Sequence, residues 1–137
     1  MDEQEKPLSV VLFSGTDDKL NAAAVLTVGA AAMGRPVNVF LQYYALDAFR
    51  TGHLTVDHHL SPEATPAQAP VVRAHPGNHW SELFRQAKDV GQVDIQACAL
   101  SMDMFHLKQG DLDPLVDGVE GVAAFVSSVG DGQVVFI

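Results

Sequence analysis

The chain has a single cysteine and only 8 lysines and arginines in 137 residues, and each shortage excludes something. One Cys, Cys98, cannot form an internal disulfide, and such sparing use fits a reducing compartment. The 17 acidic residues outweigh the basic ones to give a formal net charge of -9. A surface of that sign repels phosphate backbones and anionic lipid, which argues against nucleic acid and membrane surfaces as direct partners. The longest apolar stretch, Ala22 to Met33, is interrupted by Thr27 and Gly29 and is too short to cross a bilayer. Met1 to Lys6 is polar and acidic, without the basic and apolar regions of a signal peptide. The expected location is cytoplasmic, with no membrane insertion. There is no internal repeat, no low-complexity tract, and no Gly-x-x-x-x-Gly-Lys-Ser/Thr phosphate loop.

What is there reads as one α/β domain spanning 1–137. Hydrophobic residues make up 47% of the chain, enough for a core without disulfides or a structural metal. Leu8 to Phe13 is a β-branched and aromatic run ended by Ser14-Gly15, a buried first strand. Thr16 or Ser14 can cap the helix that follows, and Asp17 and Asp18 sit in its first turn, where the dipole favours acids. That helix runs to Met33, where Gly34 and Pro36 stop it. Val37 to Leu41 is a second strand, so strand, helix and strand form a βαβ unit with a right-handed parallel crossover. A short helix is expected over Tyr43 to Arg50 and a longer one over Trp80 to Val90, with Trp80, Leu83, Phe84 and Ala87 on one face. Val93 to Ala97 is a third strand that delivers Cys98 at its carboxyl end. Helices at Leu100 to Leu107 and Gly121 to Val129, a turn at Asp111 to Leu115, and strands at Val119-Glu120 and Gln133 to Ile137 complete a largely parallel sheet.

Thr51 to Asn78 differs. Pro62, Pro66, Pro70 and Pro76 and a poor period mark a long loop, with a brief extended piece at Val71-Val72; a loop of this length is expected to be a functional cover or a mobile segment. His53, His58, His59, His75 and His79 fall in or beside it. With Asp57 they raise the question of a metal, but their spacing matches no compact zinc signature, so no metal and no cofactor is expected.

Ala97-Cys98-Ala99-Leu100-Ser101-Met102-Asp103, then Asp111-Leu112, Val119-Glu120-Gly121-Val122 and Val135-Phe136-Ile137, form a recognisable series. Together with the first strand, Ser14-Gly15 and the alanine-rich helix, they resemble the DsrE/DsrF-like family, in its branch with a Cys-x-x-Ser-Met segment after the third strand. His106 departs from the glycine common there. The resemblance implies a flavodoxin-like three-layer α/β/α sandwich with about five parallel strands, a homo-oligomer, and a cysteine that carries sulfur as a persulfide. Cys98 matches that cysteine. The implied partners are sulfur donor and acceptor proteins or small thiols, and whether the chain is a sulfurtransferase enzyme or a carrier stays open.

Position supports Cys98 as the catalytic candidate. Ligand sites in open α/β sheets lie beyond the carboxyl ends of the strands. If the order is the flavodoxin-like 2-1-3-4-5, strands one and three adjoin, and Cys98 lies beside Ser14, Gly15 and Thr16. Helix N-termini near Thr16 and Ala99 would then stabilise a thiolate, a persulfide anion or a bound oxyanion. Ser14, Gly15, Thr16 and Ser101 are accordingly the candidates for contact with a substrate or anion. Two alternatives stand beside this reading. A lone cysteine also packs as a small buried hydrophobe, which would leave a noncatalytic oligomeric scaffold. The sheet edge could equally serve a small-molecule or nucleotide-binding module.

Overall fold

The computed structural model describes residues 6–137; the acidic start read over Met1 to Lys6 lies mostly outside them. Five strands form one all-parallel sheet: β1 (Leu8–Leu12), β2 (Val37–Leu41), β3 (Val93–Cys98), β4 (Gly118–Glu120) and β5 (Gln133–Phe136). The helices are α1 (Asp17–Ala32), α2 (Tyr44–Ala48), α3 (Gln68–Ala74), α4 (Trp80–Val90), α5 (Ala99–Met104) and α6 (Val122–Val129). This is the expected α/β sandwich.

Strand alternation divides the core in two. Leu8, Val10 and Leu12 of β1, Val37, Val39 and Leu41 of β2, and Ile95 and Ala97 of β3 point to one face. There they meet Leu20, Ala23 and Ala24 of α1 and Trp80 and Phe84 of α4. Small residues on the inner side of α1 let it lie close to the sheet and to α4; Thr27, also buried there, satisfies its hydroxyl by donating to the Ala23 carbonyl at 2.8 Å. The opposite face is thinner. Val11, Phe40 and Cys98 meet Phe125 of α6, and the rings of Phe40 and Phe125 stack with centroids 4.6 Å apart.

The strand order is β4-β3-β2-β1-β5, which corrects the flavodoxin-like order 2-1-3-4-5. β2 lies between β1 and β3, so those two strands do not adjoin. The chain steps from β1 to β4 in one direction. Right-handed crossovers taken in one direction put their helices on one face, and the single return from β4 to β5 puts α6 on the other.

The long segment after α2 is also more regular than expected. Val71 and Val72 belong to helix α3, not to an extended piece. Pro70 is its third residue, inside the first turn, where no intrahelical N–H is needed.

Phe84 is fully buried and faces Phe49 and Trp80 at 5.7 and 6.2 Å between ring centroids. Phe84→Ala is expected to destabilise the fold by about 3–5 kcal/mol in urea titration. Leu26→Ala, on the exposed side of α1, is expected to change stability by about 0.5 kcal/mol or less.

Candidate functional site

β3 ends at Cys98 and α5 begins at the next residue, so Cys98 is the N-cap residue of that helix. Alternation along β3 turns the thiol away from the α1–α4 layer and toward Phe40, Val11 and Phe125. It is 4% exposed, so the thiol is buried in the single chain. The register pairs Cys98 with Glu120 of β4, which places both side chains on the same face. Burial, and then the charge of Asp94, push the Glu120 carboxyl above its ordinary value. The sequence marked Glu120 only as part of a short strand and of the family-like series; the register brings it to Cys98.

Ser101 is fully buried and accepts a hydrogen bond from the Tyr43 backbone N–H at 3.0 Å. Tyr43 has φ +46, a left-handed conformation that costs a bulky residue energy. Ser101 thus fixes α5 against the turn that follows β2. His106, with φ +54, follows the last residues of α5 in the position where helices favour glycine. The helix stops at Met104, short of the Leu107 expected.

Ser14, Gly15 and Thr16 lie past the end of β1, with the whole of β2 between that strand and β3. Their polar groups are turned to internal work. Ser14 Oγ accepts from the Thr16 N–H and shares a hydrogen bond with Thr16 Oγ1, which also meets Ser61 Oγ at 3.3 Å. Gly15 is there for close approach: a Cβ would stand 2.4 Å from the Tyr44 carbonyl oxygen. An aromatic group, Phe13 with Tyr43, Tyr44 and Phe136, fills the same edge of the sheet at 4.9, 5.5 and 5.7 Å between centroids.

The two acids after Thr16 organise the long loop. Asp17 accepts from the His58 N–H at 2.9 Å and the Trp80 indole at 3.3 Å, and pairs with Arg73 of α3. Asp18 accepts from the N–H and hydroxyl of Ser61 at 3.0–3.1 Å. Acids at a helix start read as dipole partners; that they also hold a loop some 40 residues on was not visible. Of the histidines, His58 Nε2 contacts the His53 carbonyl at 2.8 Å, and His79 caps α4 by accepting from the Ser81 N–H. Among the described residues no three His, Cys, Asp or Glu side chains come together as metal ligands. No helix among them is long and apolar enough to cross a membrane.

Comparison with known proteins bears on this arrangement. The sequence pattern of the DsrE/DsrF/DrsH-like family matches residues 4–76 and again 64–137. The uncharacterized protein YrkE of Bacillus subtilis (strain 168) is 28% identical over 158 aligned positions, covering 98% of both chains. A protein of unknown function from Methanobacterium thermoautotrophicum, MTH1491, superposes with a TM-score of 0.63 at 14% identity, over 97% of this chain and 100% of its own. That likeness shows the shared fold.

Burial alone would raise the Asp18 carboxyl, but hydrogen bonds from Thr16, Ser61 and the Lys19 N–H outweigh it and hold the group below its ordinary 3.8. A carboxyl lowered in the folded state adds stability above its unfolded value and loses it as pH falls through the folded one. Amide protection around Ser61 is therefore expected to weaken selectively as pH drops below about 4. Asp18→Asn should reproduce that loss at neutral pH, at a cost of about 1 kcal/mol, with hydrogen exchange as the measurement.

Proposed function

The chain belongs to the DsrE/DsrF/DrsH-like family, and from that premise we propose that it is a cytoplasmic sulfur-relay protein that holds a persulfide on Cys98. The observation that carries the proposal is the place of the only cysteine: at the carboxyl end of an interior strand and at the start of a helix, in the segment that resembles the family's cysteine-bearing one. In the step proposed, the Cys98 thiolate attacks the outer sulfur of a donor persulfide, R–S–SH. The new S–S bond forms as the old one breaks, R–S⁻ departs, and the proton stays on the transferred sulfur. With no second cysteine, release must go to a thiol on another molecule, a small thiol or a partner subunit.

The 4% exposure of Cys98 supports a second reading, an oligomeric scaffold or small-molecule-binding module with an inert cysteine. Intact mass after incubation with a sulfane-sulfur donor separates the two. One added sulfur is expected on the native folded chain, and none on Cys98→Ser or Cys98→Ala. The Ser variant places a hydroxyl against Phe40 and Phe125 and should cost about 1–2 kcal/mol, so the Ala variant is the control for folding. Uptake only after unfolding would establish the inert reading.

A homo-oligomer belongs to the same proposal. The thin face of the sheet leaves Val122 and Val126 of α6 and Val134 and Phe136 of β5 at 52–66% exposure, an apolar surface of the kind that subunits cover. Light scattering is expected to give a mass above that of one chain. Val126→Asp together with Phe136→Asp should return the monomer; a wild-type monomer at all concentrations would refute the assembly.

A further inference from the structure

Away from Cys98, the long segment after α2 closes a cavity of about 520 Å3 over the first turns of α1. That is the size of small-molecule sites. Its floor is α1, at Asp17, Asp18 and Asn21; one wall is the loop at Asp57 and Leu60; the other is α3, at Val72 and Arg73, and the start of α4, at His79 and Trp80. The wall made by α3 is loosely attached. None of its residues is buried, and its side chains reach the rest of the molecule through Arg73, which pairs with Asp17 and donates to the His58 carbonyl. A helix that buries no side chain opens locally far below the free energy of global unfolding.

The lining has a definite charge. Asp17, Asp18 and Asp57 supply three carboxylates, and Arg73 the one guanidinium. Burial, opposed by the charge of Asp17, holds the His79 imidazole below its ordinary 6.5, and its Nδ1 accepts from the Ser81 N–H. Arg73 is already matched to Asp17 and Asp18 to Ser61, whereas Asp57 has no hydrogen-bond or ion-pair partner among the described residues. Leu60, Val71 and Val72 give the same space an apolar side, and Val71 and Val72 are 70% and 46% exposed toward it or solvent. This is the reverse of the phosphate site considered at Ser14, Gly15 and Thr16.

We propose that this cavity binds a small organic cation, an alkyl- or arylammonium compound, with its ammonium at Asp57 and the acidic end of α1 and its apolar body against Leu60 and Val72. Charge attraction in a concave site is stronger than on a flat surface, and the net charge of -9 on the chain concentrates cations around it. Cys98 takes no part, so the site stands whether or not the cysteine carries sulfur.

Trp80 is the only tryptophan and lines the cavity, which makes its fluorescence the reporter. Phenethylammonium, 2-phenylethanol and 3-phenylpropionate share one ring and differ in charge. Titration of the full chain with phenethylammonium is expected to give a saturable change in Trp80 emission, with amide shifts in NMR at Asn21, Asp57 and Val72. The neutral analogue should bind at least about tenfold more weakly, a difference of 1.4 kcal/mol, and the anion not saturably. Asp57→Asn, which removes no internal contact, should keep the fold and weaken phenethylammonium about tenfold, while Cys98→Ala leaves it unchanged. Equal binding of all three probes, preference for the anion, an unaltered affinity in Asp57→Asn, or no saturable binding at all would each overturn the proposal.

Discussion

The direction in which the chain crosses its sheet governs the rest of the structure. β1 to β4 are laid down stepwise and only β5 returns, to the far side of β1. A right-handed crossover fixes the face on which each connection packs. The stepwise connections therefore crowd one face, where α1 and α4 bury Leu20, Ala24, Trp80 and Phe84 against the sheet. The return crosses the other face as α6, eight residues long with Phe125 its one buried side chain. A thick layer, a thin layer and an exposed apolar margin at Val134 and Phe136 are consequences of one ordering of strands.

The start of α1 illustrates how a general electrostatic opportunity is closed off by a particular sequence. A helix N-terminus at the carboxyl edge of a sheet is a ready anion site. Here the two residues that follow the cap are acids, and the chain itself supplies their partners: His58, Arg73 and Trp80 for Asp17, Ser61 for Asp18. The loop that these contacts hold covers the helix start and converts an edge suited to phosphate into an acidic hollow. Conformational entropy lost by ordering a proline-rich segment is offset by these charge-assisted hydrogen bonds and by the burial of Leu54 and Ser61, while α3 itself buries no side chain.

Most elements were legible because their signals are local. Trp80 to Val90 carries its apolar stripe at helical spacing and stops at Gly91, and the helix has those bounds. Cys98 stands at the end of β3, as read, and the helix read over Gly121 to Val129 is α6, with Gly121 as its N-cap. α3 was missed because it has no buried face to set a period, and because Pro70 looks like a breaker when its position in the first turn is unknown. The order of strands was not legible: whether β3 lies beside β1 or beside β2 depends on which way the crossover after β2 turns, and no residue in Val37 to Leu41 states it. The separation of Ser14, Gly15 and Thr16 from Cys98, and the pairing of Cys98 with Glu120, follow from that order alone.

Burial and reactivity at Cys98 make opposite demands, and the thin layer is where they meet. A thiol packed on Phe40 and Phe125 is shielded from oxidants and from casual exchange. Its cover is a helix too short to persist on its own in water, and most of the apolar residues of that helix face outward. The side chains that α6 covers are Val11, Phe40 and the thiol, with its own Phe125 stacked on Phe40; the thick layer, which contains most of the core, is a separate cluster. The free energy of a local opening at α6 is set by the Phe40–Phe125 contact and the last turns of α6, not by the stability of the whole domain. Any partner that gains apolar contact with Val122 and Val126 as α6 moves would lower that opening energy by the contact it gains, because binding shifts an equilibrium in proportion to differential affinity. If subunits associate at the thin face as proposed, access to Cys98 would be linked to that association through one short helix.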